Sequence, residues 1–512
     1  MQDNHSQNNK RIAKNTFVLY IRMIFLLGIS LYTSRIILNG LGVENYGIYN
    51  VVGGFIAMFS IISNTLSASI SRFITYELGC EKNNKLQLIF ATSVNIQLII
   101  GFFIILLGET IGLWFINNQL NIPLEKLHEA NIVYHCSLIT FIINLVSVPY
   151  NACIIANERM KAFAYISIID AIIKLAIAFF ISTTHTNKLT FYGVLMLVDA
   201  FFIRMIYSLY CSKHFSYCKY KFIFDRTLFK QILSFAGWNF IGASSGVLKD
   251  QGTNILINIF FTPSVNAARG IAMQVNAAVQ QFSSNFLSAI NPQITKQYAA
   301  KNYGYCMELV NKGAKYSIYL LLIIALPILI ETEYIVKLWL GVIPEYTIIF
   351  IRLIIINSMV DALSNTIVTL MLATGKIKNY QIVVGGCLLM NLPIAYVLLM
   401  FEYPPQITII SSIIIAIISL FLRLIMIKKV FPYFRIVSFI KNVILNATLV
   451  ISISIIIPLL FIHCYTEANI VRFILTSIIS IISTTIIIFF TGCNNREKKY
   501  IKNIIYTRIL KR

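Results

Sequence analysis

From residue 14 to residue 491, apolar runs of membrane-crossing length alternate with short polar or basic breaks. A helix needs roughly 20 largely apolar residues to cross the hydrocarbon core of a bilayer. By that measure the pattern predicts fourteen spans: 14–38, 46–69, 87–108, 130–155, 162–182, 190–211, 231–258, 264–290, 310–330, 347–373, 379–400, 407–427, 441–462 and 469–491. The two weakest, 231–258 and 264–290, are interrupted by many Asn, Gln and Ser. The predicted fold class is an all-α polytopic membrane protein with short outer loops, the longest at about 109–129.

Composition removes the soluble alternative. Hydrophobic residues make up 58% of the 512 and charged residues 12%, about half the charge of an average soluble domain. The net charge of +22 is distributed unevenly. With the N-terminus inside, 30 of the 42 Lys and Arg fall in inner segments, whereas outer loops hold only Lys126, Lys188 and Lys337. Nine of the 20 acids lie outside, among them Glu44, Glu125, Glu333 and Glu467. This bias predicts cytoplasmic N- and C-termini and assigns the excess charge to inner loops rather than to nucleic acid. The first apolar run exceeds a signal-peptide core and reads as a retained helix. Of nine cysteines only Cys464 sits near an outer loop, so no external disulfide pair is available.

The chain repeats itself. Ser63-Asn64-Thr65-Leu66-Ser67-Ala68 recurs as Ser284-Asn285-Phe286-Leu287-Ser288-Ala289, and Glu109-Thr110 with Leu113-Trp114 echoes Glu331-Thr332 with Leu338-Trp339. Ala156, Arg159, Lys161 and Phe163 match Ala373, Lys376, Lys378 and Tyr380. Three collinear echoes make spans 1–6 and 7–12 two copies of one six-helix unit. Six is even, so the copies are parallel repeats about an axis along the membrane normal. The expected organisation is an N-lobe at 1–211, a basic cytoplasmic linker at 212–230, a C-lobe at 231–427, a basic loop at 428–440, spans 13 and 14 at 441–491 and a basic tail at 492–512.

The segment Asn39-Gly-Leu-Gly-Val-Glu-Asn-Tyr-Gly-Ile-Tyr49 resembles the signature after helix 1 of bacterial polysaccharide-biosynthesis flippases of the Wzx type. Those proteins share a superfamily with the multidrug and toxin extrusion (MATE) antiporters. The duplicated lobes, the fourteen spans and the basic linker resemble that family over nearly the whole chain. The resemblance implies an inner-membrane flippase that moves undecaprenyl-diphosphate-linked oligosaccharide for O-antigen (lipopolysaccharide), capsule or exopolysaccharide synthesis by alternating access. Its implied partners are that polyprenyl-diphosphate oligosaccharide, membrane lipid, a polysaccharide polymerase and other assembly proteins.

Thirteen charged residues fall inside the predicted spans: Arg22, Arg35, Lys174, Arg204, Lys249, Arg269, Arg352, Arg423, Arg472, Asp170, Asp199, Asp250 and Asp361. Each costs on the order of 3 kcal/mol at the bilayer centre unless it is paired or faces water. Arg423 and Arg472, near span ends, are expected to snorkel to the interface. Asp170 and Lys174, one turn apart, are expected to pair, chiefly as a structural pair. Asp199 and Arg204 are expected to find partners elsewhere. Arg269, Met273, Asn276, Gln280 and Ser283 form a polar stripe at helical spacing on span 8, and Asn239, Ser245, Lys249, Asp250, Asn254 and Asn258 crowd span 7.

Such residues either glue helices together or line a cavity. Arg and Lys favour the cavity. Arg22, Lys249 and Arg269 are therefore the candidate cationic lumen between the lobes, suited to a diphosphate, with Asn276 and Gln280 for sugar hydroxyls. The resemblance extends the cationic lumen to Arg22 and Arg269 by helix position. Asp170, Lys174, Asp250 and Asp361 are the candidates for ion coupling. No phosphate-binding loop, metal set or cofactor motif is present in the sequence, and His128, His135 and Cys136 read as structural. Two alternatives remain open: a Na⁺- or H⁺-coupled MATE-type small-molecule antiporter, and a membrane polysaccharide polymerase or glycosyltransferase.

Overall fold

A computed structural model describes residues 2–57, 59–80, 85–118, 123–184, 187–261, 263–340, 343–465, 467, 469–495 and 497–499. The side chains of Arg35, Glu44, Tyr46 and Asn258, residue His185 and tail residues 500–512 lie outside the described residues. Fifteen helices are present among the described residues: α1 Gln2–Ala57, α2 Ser60–Gly79, α3 Leu86–Asn118, α4 Leu124–Ala156, α5 Met160–Thr183, α6 Lys188–His214, α7 Arg226–Phe260, α8 Pro263–Ala299, α9 Tyr303–Ile330, α10 Thr332–Leu340, α11 Thr347–Thr374, α12 Lys378–Met400, α13 Ile407–Val430, α14 Ile436–Cys464 and α15 Ile470–Gly492. No strand is present among the described residues.

Among the described residues, eleven helical segments are long and apolar enough to cross a membrane. The remaining three predicted spans correspond to the second limb of α1 with α2, to α7 and to α8. Their lengths are ample: 35 and 37 residues in α7 and α8 give roughly 50–55 Å of helix at 1.5 Å per residue. What excludes these two from an apolarity test is the polar stripe described above.

The break predicted between spans 1 and 2 is a kink within one continuous helical run. Gly42 adopts φ 79° and ψ 163°, a region essentially open only to glycine. A Cβ at Gly42 would meet nothing within 4 Å, so the requirement is purely conformational. Gly42→Ala is expected to cost about 1–3 kcal/mol, read as a lower melting temperature of the purified protein; an unchanged melt would show that the kink relaxes freely. The neighbouring Gly40 permits close packing, since its Cβ would lie 3.4 Å from the backbone of Ser182. Its carbonyl accepts a hydrogen bond from Lys188 Nζ at 3.0 Å. Tyr49, at the end of the same motif, meets Tyr192 edge-on at 4.7 Å. These contacts explain why that stretch of sequence is so particular.

Two other expected breaks are helical. α2 runs on to Gly79 instead of ending at 69, and Arg72 lies against the rings of Phe73, Tyr76 and Phe235 at 4.8, 5.0 and 5.2 Å. The expected outer loop at 109–129 is shortened, because α3 continues through a π-turn at Gly108–Gly112 to Asn118.

Contacts group the chain into two compact units. The first comprises residues 1–243 with 295–302, and the second 244–294 with 303–512. The first unit packs around Phe90, Tyr134, Leu138, Leu145 and Ile70, all fully buried, with Phe90 edge-on to Tyr150 at 5.0 Å. The stretch 212–230 is docked on this unit: Asn95 Nδ2 donates to the Ile223 carbonyl at 3.0 Å, and Tyr220 donates to Asn95 Oδ1 at 2.7 Å.

In the second unit, α14 and α15 are fastened to α9 at both ends. Lys315 pairs with Glu497 at 2.7 Å, and each of the two side chains is less than a tenth exposed. At the other end Arg472 grips Glu331 through two bonds of 3.0 and 2.9 Å, and Thr476 donates to the same carboxylate at 3.1 Å. Arg472 therefore does not snorkel. Glu331 is 2% exposed, and a bidentate pair satisfies a buried guanidinium better than the interface does. One turn along from Lys315, Tyr319 on α9 hydrogen-bonds to Asn446 on α14.

Candidate functional site

The second unit contains a cavity of about 230 Å³ bounded by α7, α8, α11 and α13. α7 contributes Lys249, Asp250 and Thr253, and α8 contributes Arg269, Met273, Asn276 and Gln280. α11 adds Asn357, Ser358 and Asp361, and α13 adds Thr408 and Ser412. The helical spacing of the α8 stripe brings its members to one wall, where the lining is too polar to face lipid.

Two hydrogen-bond networks organise the wall. In the first, Gln280 donates to Ser358 and Ser358 donates to Asn276, both at 2.7 Å. In the second, Lys249 donates to Ser412 at 3.2 Å, Ser412 donates to Asn357 at 3.5 Å, and Asn357 donates to Asp361 at 3.0 Å. Lys249 also lies 3.7 Å from Asp250. Arg269, 5% exposed, hydrogen-bonds to Asn254, and its Nε is buried with no hydrogen-bond partner among the described residues. The last member of the stripe, Ser283, leaves the cavity and bonds Ser317 on α9 at 2.5 Å, which is helix gluing rather than lining.

The structure thus brings together six of the nine residues singled out from sequence: Lys249, Arg269, Asn276, Gln280, Asp250 and Asp361 share one cavity. The grouping differs from the expected one. Substrate and ion-coupling candidates sit side by side, and the lining holds two cations with two carboxylates rather than cations alone. Arg423 of α13 is a further cation on this side, an electrostatic neighbour of Asp361 and Tyr380. It is half-buried, and its Nε is buried with no hydrogen-bond partner among the described residues. Asn357, Ser358 and Ser412 were not singled out from sequence. A Ser or Asn in an Ile-rich helix gives no sign of its direction, and only the facing stripe on α8 could have pointed to them.

The remaining three candidates lie in the first unit. Arg22 of α1 stacks on the ring of Phe163 at 4.4 Å, with Asp170 and Tyr207 as electrostatic neighbours. Lys174 pairs with Asp170 at 2.8 Å, as their spacing predicts. Asp199 of α6, 3% exposed, is an electrostatic neighbour of both Asp170 and Lys174. Asp170, Lys174 and Asp199 therefore form one cluster. Arg204 lies over the Tyr150 ring at 4.0 Å.

A third charged group of the first unit carries no counterpart in the expectations. Glu158, in the turn between α4 and α5, has φ 59° and a fully buried side chain. It pairs with Arg11 at 2.8 Å and Lys296 at 2.7 Å, and its carbonyl accepts from Asn15 at 3.3 Å. Lys296 is held closely from another side, since a Cβ at Gly79 would lie 2.5 Å from its carbonyl oxygen.

Comparison with known proteins places these features. The family model described as polysaccharide biosynthesis protein matches residues 12–298, more than half of the chain. No curated protein matches at a significant level. Solved structures share the fold. A MATE protein in the straight conformation superposes with TM-score 0.69 at 14% identity, covering 85% of this chain and 97% of that one. An outward-facing multidrug resistance MATE family transporter of the MOP superfamily gives 0.69 at 15% identity, covering 83% and 97%. The MATE transporter ClbM in complex with Rb⁺ gives 0.68 at 11% identity, covering 81% and 94%. With a MATE-like helical fold around a charged cavity and a family match over most of its first 300 residues, the chain belongs to the polysaccharide biosynthesis protein family of multi-pass membrane proteins.

Proposed function

We propose that this protein is a transporter that carries a polyprenyl-diphosphate-linked oligosaccharide across the cytoplasmic membrane, with both termini inside, without altering it chemically. The observation that carries this reading is the cavity of the second unit, where Lys249 and Arg269 stand among amides and hydroxyls. A guanidinium and an ammonium suit a diphosphate, and Asn276, Gln280, Ser358 and Ser412 are the donors and acceptors that sugar hydroxyls require. Family membership supports a lipid-linked glycan as the cargo.

Asp250 and Asp361 in the same cavity support coupling by exchange of partners. An anion that draws Lys249 and Arg269 to itself leaves the carboxylates to take up a cation. The Asp170–Lys174–Asp199 cluster is a second place for a coupling proton. Arg22, beside that cluster, serves its electrostatics in this reading.

The second reading, a cation-coupled small-molecule antiporter, is favoured by the two acids in the cavity and by the MATE-like fold. Purified protein in proteoliposomes separates the two. Transbilayer movement of a fluorescent polyprenyl-diphosphate oligosaccharide, without uptake of a cationic dye, is the expected result. Gradient-driven dye uptake with the lipid static would overturn the flippase reading.

A further inference from the structure

A second cavity, of about 290 Å³, lies in the second unit where the start of α9 meets the segment joining α13 to α14. Tyr303, Asn311, Tyr433, Arg435 and Ser438 present its polar groups. Its charge is of one sign. No acid occurs between Glu402 and Glu467, whereas Lys428, Lys429, Arg435 and Lys441 fall in that interval. The acid in the adjoining turn of α9, Glu308, is committed to Lys312 at 2.6 Å. Arg435 is exposed and has no ion pair among the described residues.

The walls of this cavity are built of packed aromatic rings. Tyr303 packs on Tyr433 at 4.7 Å and edge-on to Phe431 at 5.1 Å, while Phe431 and Phe434 are buried. Beside it the surface is apolar and open: Val437 is 79% exposed and Tyr433 63%. A polar cavity with an unopposed guanidinium, bordered by exposed apolar side chains at the end of a membrane helix, matches both parts of a phospholipid.

We propose that this cavity is a binding site for the phosphate headgroup of an anionic phospholipid of the leaflet that it adjoins. Arg435 supplies the paired N–H donors that a phosphate takes, and the hydroxyls of Tyr433 and Ser438 complete the donor set. Lys428, Lys429 and Lys441 add the diffuse positive field that draws anionic lipid to a basic membrane-flanking segment. The exposed Val437 and Tyr433 give the acyl chains a surface, which favours a lipid over free phosphate. The site is independent of the cargo proposed above.

Native mass spectrometry of the full-length protein, equilibrated with mixed phosphatidylglycerol and phosphatidylcholine, tests this directly. The expected result is a retained phosphatidylglycerol whose preference over phosphatidylcholine drops about tenfold in Arg435→Gln, the loss of one charge-assisted contact, and less in Arg435→Lys. Arg435 is exposed, so these variants are expected to melt as the wild type does, and inorganic phosphate is expected not to displace the lipid. Unchanged lipid preference in a folded Arg435→Gln protein would overturn the site. Full displacement by inorganic phosphate would overturn the lipid as its occupant.

Discussion

Glu158→Gln is expected to lower the melting temperature sharply and to deplete the protein from membranes, although Gln keeps the shape and backbone of the turn. The carboxylate is fully buried between Lys296, about a fifth exposed, and Arg11, about half exposed. Removing one member of a buried pair costs about 3–5 kcal/mol, because the other charge is left uncompensated. That figure applies to Lys296; the Arg11 contribution is discounted for its exposure. Adding Lys296→Met to Glu158→Gln is expected to recover most of the loss, since replacing both partners removes the stranded charge. A single mutant that melts like the wild type, or a double mutant no better than the single, would refute a structural role for the trio. Dye-based melting in detergent reads both outcomes.

The second large effect is expected in transport. Arg269→Gln should reduce movement of the lipid-linked oligosaccharide by at least about thirtyfold, because losing one partner of a desolvated charge contact costs roughly 2–5 kcal/mol. Folding should persist, since Gln can still reach Asn254 and leaves no bulky void. Arg269→Lys should fall between the two, keeping the charge but losing the paired donors. Proteoliposome flipping assays with thermal melts on the same preparations check this. A folded Arg269→Gln protein that flips at the wild-type rate would remove this residue from the substrate site.

The sequence was most legible where the physics is one-dimensional. Apolar length set the spans, and α7 and α8 stood out because their polar residues break that rule at helical spacing. That irregularity led to Lys249, Arg269, Asn276 and Gln280, which the structure gathers in one cavity. What stayed hidden was pairing at long range. Nothing near Arg472 in sequence indicates Glu331, 141 residues away, so position near a span end suggested water instead. Glu158 looked like an ordinary loop acid, because its two cations come from residues 11 and 296. Asp199 likewise gave no sign that it would be an electrostatic neighbour of Asp170 and Lys174. Helix direction also misled at Gly42, where a motif that reads as a loop is a kink that only glycine allows.

The fastening of α14 and α15 makes the C-terminal segment a structural partner of α9. Lys315 and Glu331 sit 16 residues apart on or just beyond α9 and are each buried against a partner from the C-terminal segment. Cutting the chain before Ile436 would strand one cation and one anion about 24 Å apart along the helix, too distant to neutralise each other. Deleting the two terminal helices is therefore expected to destabilise the rest of this unit unless apolar residues also replace Lys315 and Glu331.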